Sequence, residues 1–231
     1  MNPRTERYLL LLLLALLPAH LLAAPLEPFS HDYMIYRGET RVGKVTMRLY
    51  PQYDYWIWEM RTEPVGWLRF LTRKKPFSET WLRLRDGEPA LMLTRSGDYD
   101  DKPADRSTWF EDRKQRLYYA NRKGTRQLDY RLPLHDILSI HLLYPRLLES
   151  PDGTLETDFY KKGKIRRTTL RLERDVPLRS GDDTLILDRV TQTLEGSDKH
   201  MVYYYRRGDI APIKIEQYKG KTEKSVMWRM D

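Results

Sequence analysis

The sequence predicts a mainly β fold: a curved antiparallel sheet, open or partly closed into a barrel, wrapped around one buried apolar helix. Three observations lead there. Apolar and polar residues alternate with period two along most of the chain. The links between alternating segments are short and rich in Gly, Asp and Pro, which favours antiparallel neighbours joined by tight turns. One stretch, Leu134 to Glu149, is apolar around nearly its whole circumference, as a helix must be if it is buried on every side.

The elements follow in order. A first strand lies around Tyr33 to Tyr36, and Val45, Met47 and Leu49 then alternate with Lys44, Thr46 and Arg48. The turn Pro51-Gln52-Tyr53-Asp54 leads into Trp56, Trp58 and Met60 on one face of a strand, with Tyr55, Ile57, Glu59 and Arg61 on the other. Between Val65 and Arg73 the spacing of Trp67, Leu68, Phe70 and Leu71 suits a short helix or turn. Alternation resumes at Thr80, Leu82 and Leu84, and strands continue over Ala90–Arg95, Ser107–Glu111 and Leu117–Asn121. In the apolar stretch Asp136 suits the cap of the first turn, and Pro145 should end or kink the helix. Leu155 to Phe159, the turn Lys161-Lys162-Gly163-Lys164, and strands over Arg167–Glu173, Thr184–Leu194, Met201–Arg206, Ile213–Tyr218 and Lys224–Arg229 complete about a dozen strands in a meander.

The N-terminus predicts export. Arg4 and Arg7 precede an apolar run from Tyr8 to Leu22, and Ala23-Ala24 follows. That is the layout of a cleavable leader, and the run is short of the roughly 20 residues needed to cross a bilayer. Cleavage after Ala23 leaves residues 24–231 as a single domain. It removes Arg4 and Arg7 against Glu6, lowering the formal charge of +8 by one unit. Without cysteine there is no lipid-attachment route and no disulfide, so packing alone must hold the fold in the periplasm. A basic exported chain favours anionic partners such as lipid headgroups over nucleic acid, which is not expected.

Several short motifs follow one another along the chain: Val42-Gly43-Lys44-Val45, Gly66-Trp67-Leu68, Phe77-Ser78-Glu79-Thr80, Asp136-Ile137-Leu138-Ser139 and Ala211-Pro212-Ile213-Lys214-Ile215-Glu216. Together with the leader, this resembles the DUF3108 family of bacterial exported proteins, marked by an Asp-x-Leu-Ser segment and a late Pro-Val-Arg/Lys-Ile-like strand. The resemblance covers nearly all of the mature chain. It implies an envelope protein of Gram-negative bacteria with a curved, barrel-like sheet, and it supplies no catalytic residue.

No His-Glu-x-x-His, Gly-x-Ser-x-Gly, dinucleotide or phosphate-loop pattern is present, so no catalytic residue, cofactor or metal is expected. The densest polar cluster is His135, Asp136, Ser139 and His141, whose structural reading is a capped, buried helix and whose functional reading is an acid–hydroxyl pair with an imidazole. Asp98, Asp100, Asp101 and Asp105 form an acidic loop without calcium-loop spacing, and Pro103 marks it as a turn. Arg69, Arg73, Lys74 and Lys75 beside Trp67, Phe70 and Leu71 suit docking on an anionic membrane surface. Lys161, Lys162, Lys164, Arg166 and Arg167 read as a turn and a sheet edge, where charge discourages aggregation.

Three functions remain open. A non-enzymatic periplasmic protein could hold a lipid-like ligand in the hollow of its sheet against Trp56, Trp58, Trp67, Phe70 and Trp81, as lipocalins and lipoprotein carriers do by analogy of fold. A filled hollow would instead leave an accessory or interaction module of envelope assembly, with a protein partner. The third reading is an unrecognised enzyme acting on envelope polymer.

Overall fold

The alternating segments form one sheet of 15 strands in the computed structural model, which describes residues 26–85, 88–100 and 104–230. The expected leader, Asp101, Pro103 and the turn at Asp86-Gly87 lie outside the described residues. The first half contains β1 (Phe29–Arg37), β2 (Thr40–Gln52), β3 (Tyr55–Pro64), the one-turn helix α1 (Leu68–Leu71), β4 (Pro76–Arg85), β5 (Glu88–Asp98), β6 (Arg106–Glu111), β7 (Arg116–Asn121) and β8 (Gly124–Asp129). The second contains β9 (Leu134–His135), α2 (Tyr144–Glu149), β10 (Thr154–Lys161), β11 (Lys164–Ser180), β12 (Asp183–Leu194), β13 (Lys199–Tyr205), β14 (Lys214–Lys219) and β15 (Thr222–Arg229).

Within each half the strands lie side by side in sequence order, and β1 pairs with β15 to join the halves at the centre. Every pairing is antiparallel except β9 with β10. The free edges are β8 and β9, so the sheet curls without closing. Register shifts at Ile35/Tyr36, Trp81/Leu82, Glu173/Val176 and Gln217/Tyr218 add local twist and bend.

The concave face carries the inward half of the alternation: Tyr33, Val45, Met47, Leu49, Trp58, Leu82, Leu117, Leu170 and Tyr203 are all buried there. Against them packs the segment 134–148, which contributes Leu134, Leu138, Ile140, Leu142, Leu143, Tyr144 and Leu147 to the same cluster. This oily plug is not the single helix its composition predicts. Leu134-His135 extends beside β10, a 3-10 stretch covers Ser139–Leu143, and only Tyr144–Glu149 is α-helical. Pro145 neither ends nor kinks that helix. It stands in the first turn, where a missing N–H costs no hydrogen bond.

Two further details fix the plug. The Tyr144 ring stacks on Tyr205 at 4.2 Å, and its hydroxyl donates to Asp188 Oδ2 at 2.7 Å. Asp188, buried in β12, also accepts from Arg207 and from the Asp175 N–H. Burial alone would raise this carboxyl; the hydrogen bonds from Tyr144, Arg207 and Asp175 outweigh it and hold the group below the usual range.

The gap between the edges is bridged by side chains. Arg126 of β8 donates to the Gly163 carbonyl at 2.6 Å, and the Thr108 and Tyr160 hydroxyls are hydrogen-bonded. A smaller cluster of Leu187, Val202, Tyr204 and Ile213 covers the convex side of the second half. Among the described residues no helix is long and apolar enough to cross a membrane.

Candidate functional site

Asp136 sits at the turn from β9 into the 3-10 stretch because its side chain can bond the backbone ahead of it. Its Oδ1 accepts the N–H groups of Ser139 at 2.8 Å and Leu138 at 3.2 Å, together with the Ser139 hydroxyl at 2.7 Å. The Asp136 N–H donates back to Ser139 Oγ at 2.8 Å, a reciprocal cap. Oδ2 accepts the hydroxyl of Thr80 on β4. Desolvation raises the carboxyl's pKa, partly opposed by the donors from Thr80, Ser139 and Leu138. Each polar atom of this pair therefore has a structural partner, as capping predicts. His141 does not join it: its Nδ1 bonds the Tyr205 hydroxyl at 2.6 Å and its ring lies between Trp58 and Tyr203. Burial pushes His141 down to about 3 and, with the charge of Arg146, His135 down to about 4. Both imidazoles are neutral near pH 7.

The five aromatics expected around one hollow do not meet. Trp58 is fully buried in the core, edge-on to Phe29 at 5.4 Å, and Trp56 is half-buried against the same cluster. Trp81 faces the other way, because its neighbours Thr80 and Leu82 are the inward residues of β4. Its ring lies on Tyr55 and its indole N–H donates to Glu79. Trp67 and Phe70 stand outside the sheet altogether. They occupy the tip between β3 and β4, where α1 buries no residue, and exposure is 58% for Trp67, 91% for Phe70 and 70% for Leu71.

Around that tip the cations gather as expected. Gly66, at φ +58°, turns the chain into α1, and the Arg69 guanidinium donates to the Pro64 carbonyl at 3.1 Å. Lys75 anchors the stem: its N–H donates to Asp98 at 2.9 Å and its ammonium pairs with Asp100 at 3.2 Å. Arg73 and Lys74 have no ion-pair partner among the described residues. Two members of the acidic loop thus engage Lys75, while Asp105 pairs with Arg122 at 2.6 Å.

The second basic run occupies the projecting end of the β10–β11 hairpin, where β9 reaches only Asp158 and Phe159 and β12 pairs only from Thr168 onward, so its outer flanks are open as at a sheet edge. Its turn also forms one wall of a cleft of about 640 Å³ at the mouth of the curled sheet. Lys161 and Lys162 face Lys74, Arg95, Arg106 and Arg122 across it, with Glu79, Asp98, Asp105 and Asp136 also lining the space. Phe77, Pro76 and Ile137 supply apolar wall, and Ser78, Thr94 and Ser96 supply hydroxyls. Sequence reasoning missed this cleft because its two walls are about 80 residues apart along the chain. No family model, curated protein or solved structure matches this chain.

Proposed function

We propose that the protein is an exported, non-catalytic component of the bacterial envelope, akin to the DUF3108 proteins, and that it works by docking peripherally on an anionic membrane leaflet. The observation that carries this reading is the β3–β4 tip, where Trp67, Phe70 and Leu71 are exposed together among Arg69, Arg73 and Lys74. Each large apolar side chain transferred from water contributes roughly 1.5–3 kcal/mol. Each cation near an anionic surface adds about 1 kcal/mol. Three of each suffice for reversible attachment. Occupation of the concave side by Leu134 to Leu147 favours a protein that acts through its surface over one that encloses a lipid chain within the sheet.

The mature protein should co-sediment with vesicles containing phosphatidylglycerol, far less with pure phosphatidylcholine, and the binding should weaken with salt. Replacing both apolar tip residues, Phe70→Glu with Leu71→Glu, should reduce binding at least tenfold with an unchanged melting temperature, since both side chains are exposed. Equal binding to neutral vesicles, or a double variant that binds like the parent, refutes the reading.

A further inference from the structure

We infer that the 640 Å³ cleft is a binding site for a phosphate-bearing group, held by Lys74, Arg106, Lys161 and Lys162. The inference goes beyond attachment by the tip and does not require it. Three observations carry it.

The first is size: the cleft falls within the roughly 300–1,000 Å³ typical of small-molecule sites. The second is the sign of the charge left over. Of the four carboxylates among the described lining residues, Glu79 accepts the Trp81 indole and faces Arg95, and Asp98 accepts the Lys75 N–H. Asp105 pairs with Arg122, and Asp136 is engaged by Thr80 and Ser139. Lys74, Arg106, Lys161 and Lys162 have no carboxylate partner among the described residues. Six cations thus stand against four carboxylates among the described lining residues, so the balance of charge in the cleft is positive, and hydroxyls of Ser78, Thr94 and Ser96 stand beside it. A ligand with several acceptor oxygens and more than one negative charge fits that set, as a phosphoryl group does.

The third observation is that the β10–β11 turn is held in place. The Gly163 N–H donates to the Tyr160 hydroxyl at 3.0 Å, and its carbonyl accepts from Arg126. Gly163 adopts φ +71°, and a Cβ there would lie 2.5 Å from the Arg126 guanidinium and 2.8 Å from the Tyr119 ring. Two adjacent lysines are thus presented on a fixed turn against mutual repulsion. Lys161 opens to solvent in the cleft, yet enough protein surrounds it that desolvation, then the charges of Lys162 and Lys199, hold its ammonium below the usual lysine range. A bound anion relieves that arrangement; water alone does so less well.

The phosphoryl group could come from a lipid headgroup or from a free phosphoester, and titration calorimetry on the mature protein separates the two. Glycerol 3-phosphate should bind, and Lys161→Gln with Lys162→Gln should weaken it at least tenfold. Lys219→Gln with Lys221→Gln, an equal loss of charge elsewhere on the surface, should change it less than twofold. Short-chain phosphatidic acid below its micelle concentration, a phosphomonoester like glycerol 3-phosphate, should bind at least tenfold more tightly than glycerol 3-phosphate if the source is a lipid, and equally if it is a free ester. The Phe70→Glu/Leu71→Glu protein should keep this binding, so failure of tip docking and failure of the cleft are read separately. No heat with millimolar glycerol 3-phosphate, or equal losses in the two lysine pairs, overturns the inference.

Discussion

Asp136 concentrates more hydrogen bonding than any other side chain in the plug, and its loss leaves Thr80, Ser139 and two backbone N–H groups without an acceptor. Capping alone accounts for about 1 kcal/mol. Buried donors left unmade add roughly 1–3 kcal/mol. Asp136→Ala should therefore lower stability by about 2–4 kcal/mol in urea unfolding, and Asp136→Asn, which keeps a carbonyl oxygen, by less. A loss near zero for Asp136→Ala would show that the cluster is not what fixes the turn. The Asp-x-x-Ser cap is legible in sequence because its partners are local. Thr80 is not, because it arrives from another strand 56 residues away. The same distinction explains the tryptophans: alternation separates Trp58 from Trp81 only by knowing their strands, and says nothing about which face is concave.

At the scale of elements, strands with an apolar face are readable and strands without one are not. β2 and β12 declare themselves by alternation, whereas β8 is exposed along nearly all its length and carries no such signal. The plug misleads for a different reason. An all-apolar run specifies burial but not helix type, and here the side-chain cap at Asp136 and the pairing of Leu134-His135 with β10 decide its backbone. Burying two histidines on this one segment also gives it a pH response. Unfolded, each titrates near 6.5; folded, His135 does so at about 4 and His141 at about 3. As pH falls below about 6.5 the unfolded chain gains protons that the fold refuses, so stability declines by about 1.4 kcal/mol per pH unit for each histidine. The raised carboxyl of Asp136 acts in the opposite sense, taking up a proton in the fold before the unfolded chain does, and offsets part of the loss in acid. Between pH 7 and pH 5 the urea-unfolding free energy should drop by about 3–4 kcal/mol, and His135→Gln with His141→Gln should flatten the slope. A flat parent profile would mean that neither imidazole is held neutral, and about half the drop that only one is.

For the whole molecule, an unclosed sheet of 15 strands has only two edges to protect. One is the two-residue β9 with the stretches of β10 that it leaves uncovered, ending in Lys161, and the other, β8, places Arg126 across the gap onto the β10–β11 turn. Short and charged edges both discourage pairing with a second chain. The central seam has a further effect. Because β1 lies against β15, with the Met230 N–H donating to the Asp32 carbonyl at 2.8 Å, the first and last strands are neighbours in space while every other join is local. The strand order is thus a cyclic sequence cut at its middle. A circular permutant that links Met230 to Glu27 through a short glycine–serine bridge and opens between Asp129 and Leu134 would turn the sheet into an uninterrupted walk from one edge to the other. With its longest-range pairing made sequential, such a chain should refold at least several-fold faster in stopped-flow measurements while unfolding at nearly the same rate; a rate no faster than the parent's would mean that some step other than docking of the two ends limits folding.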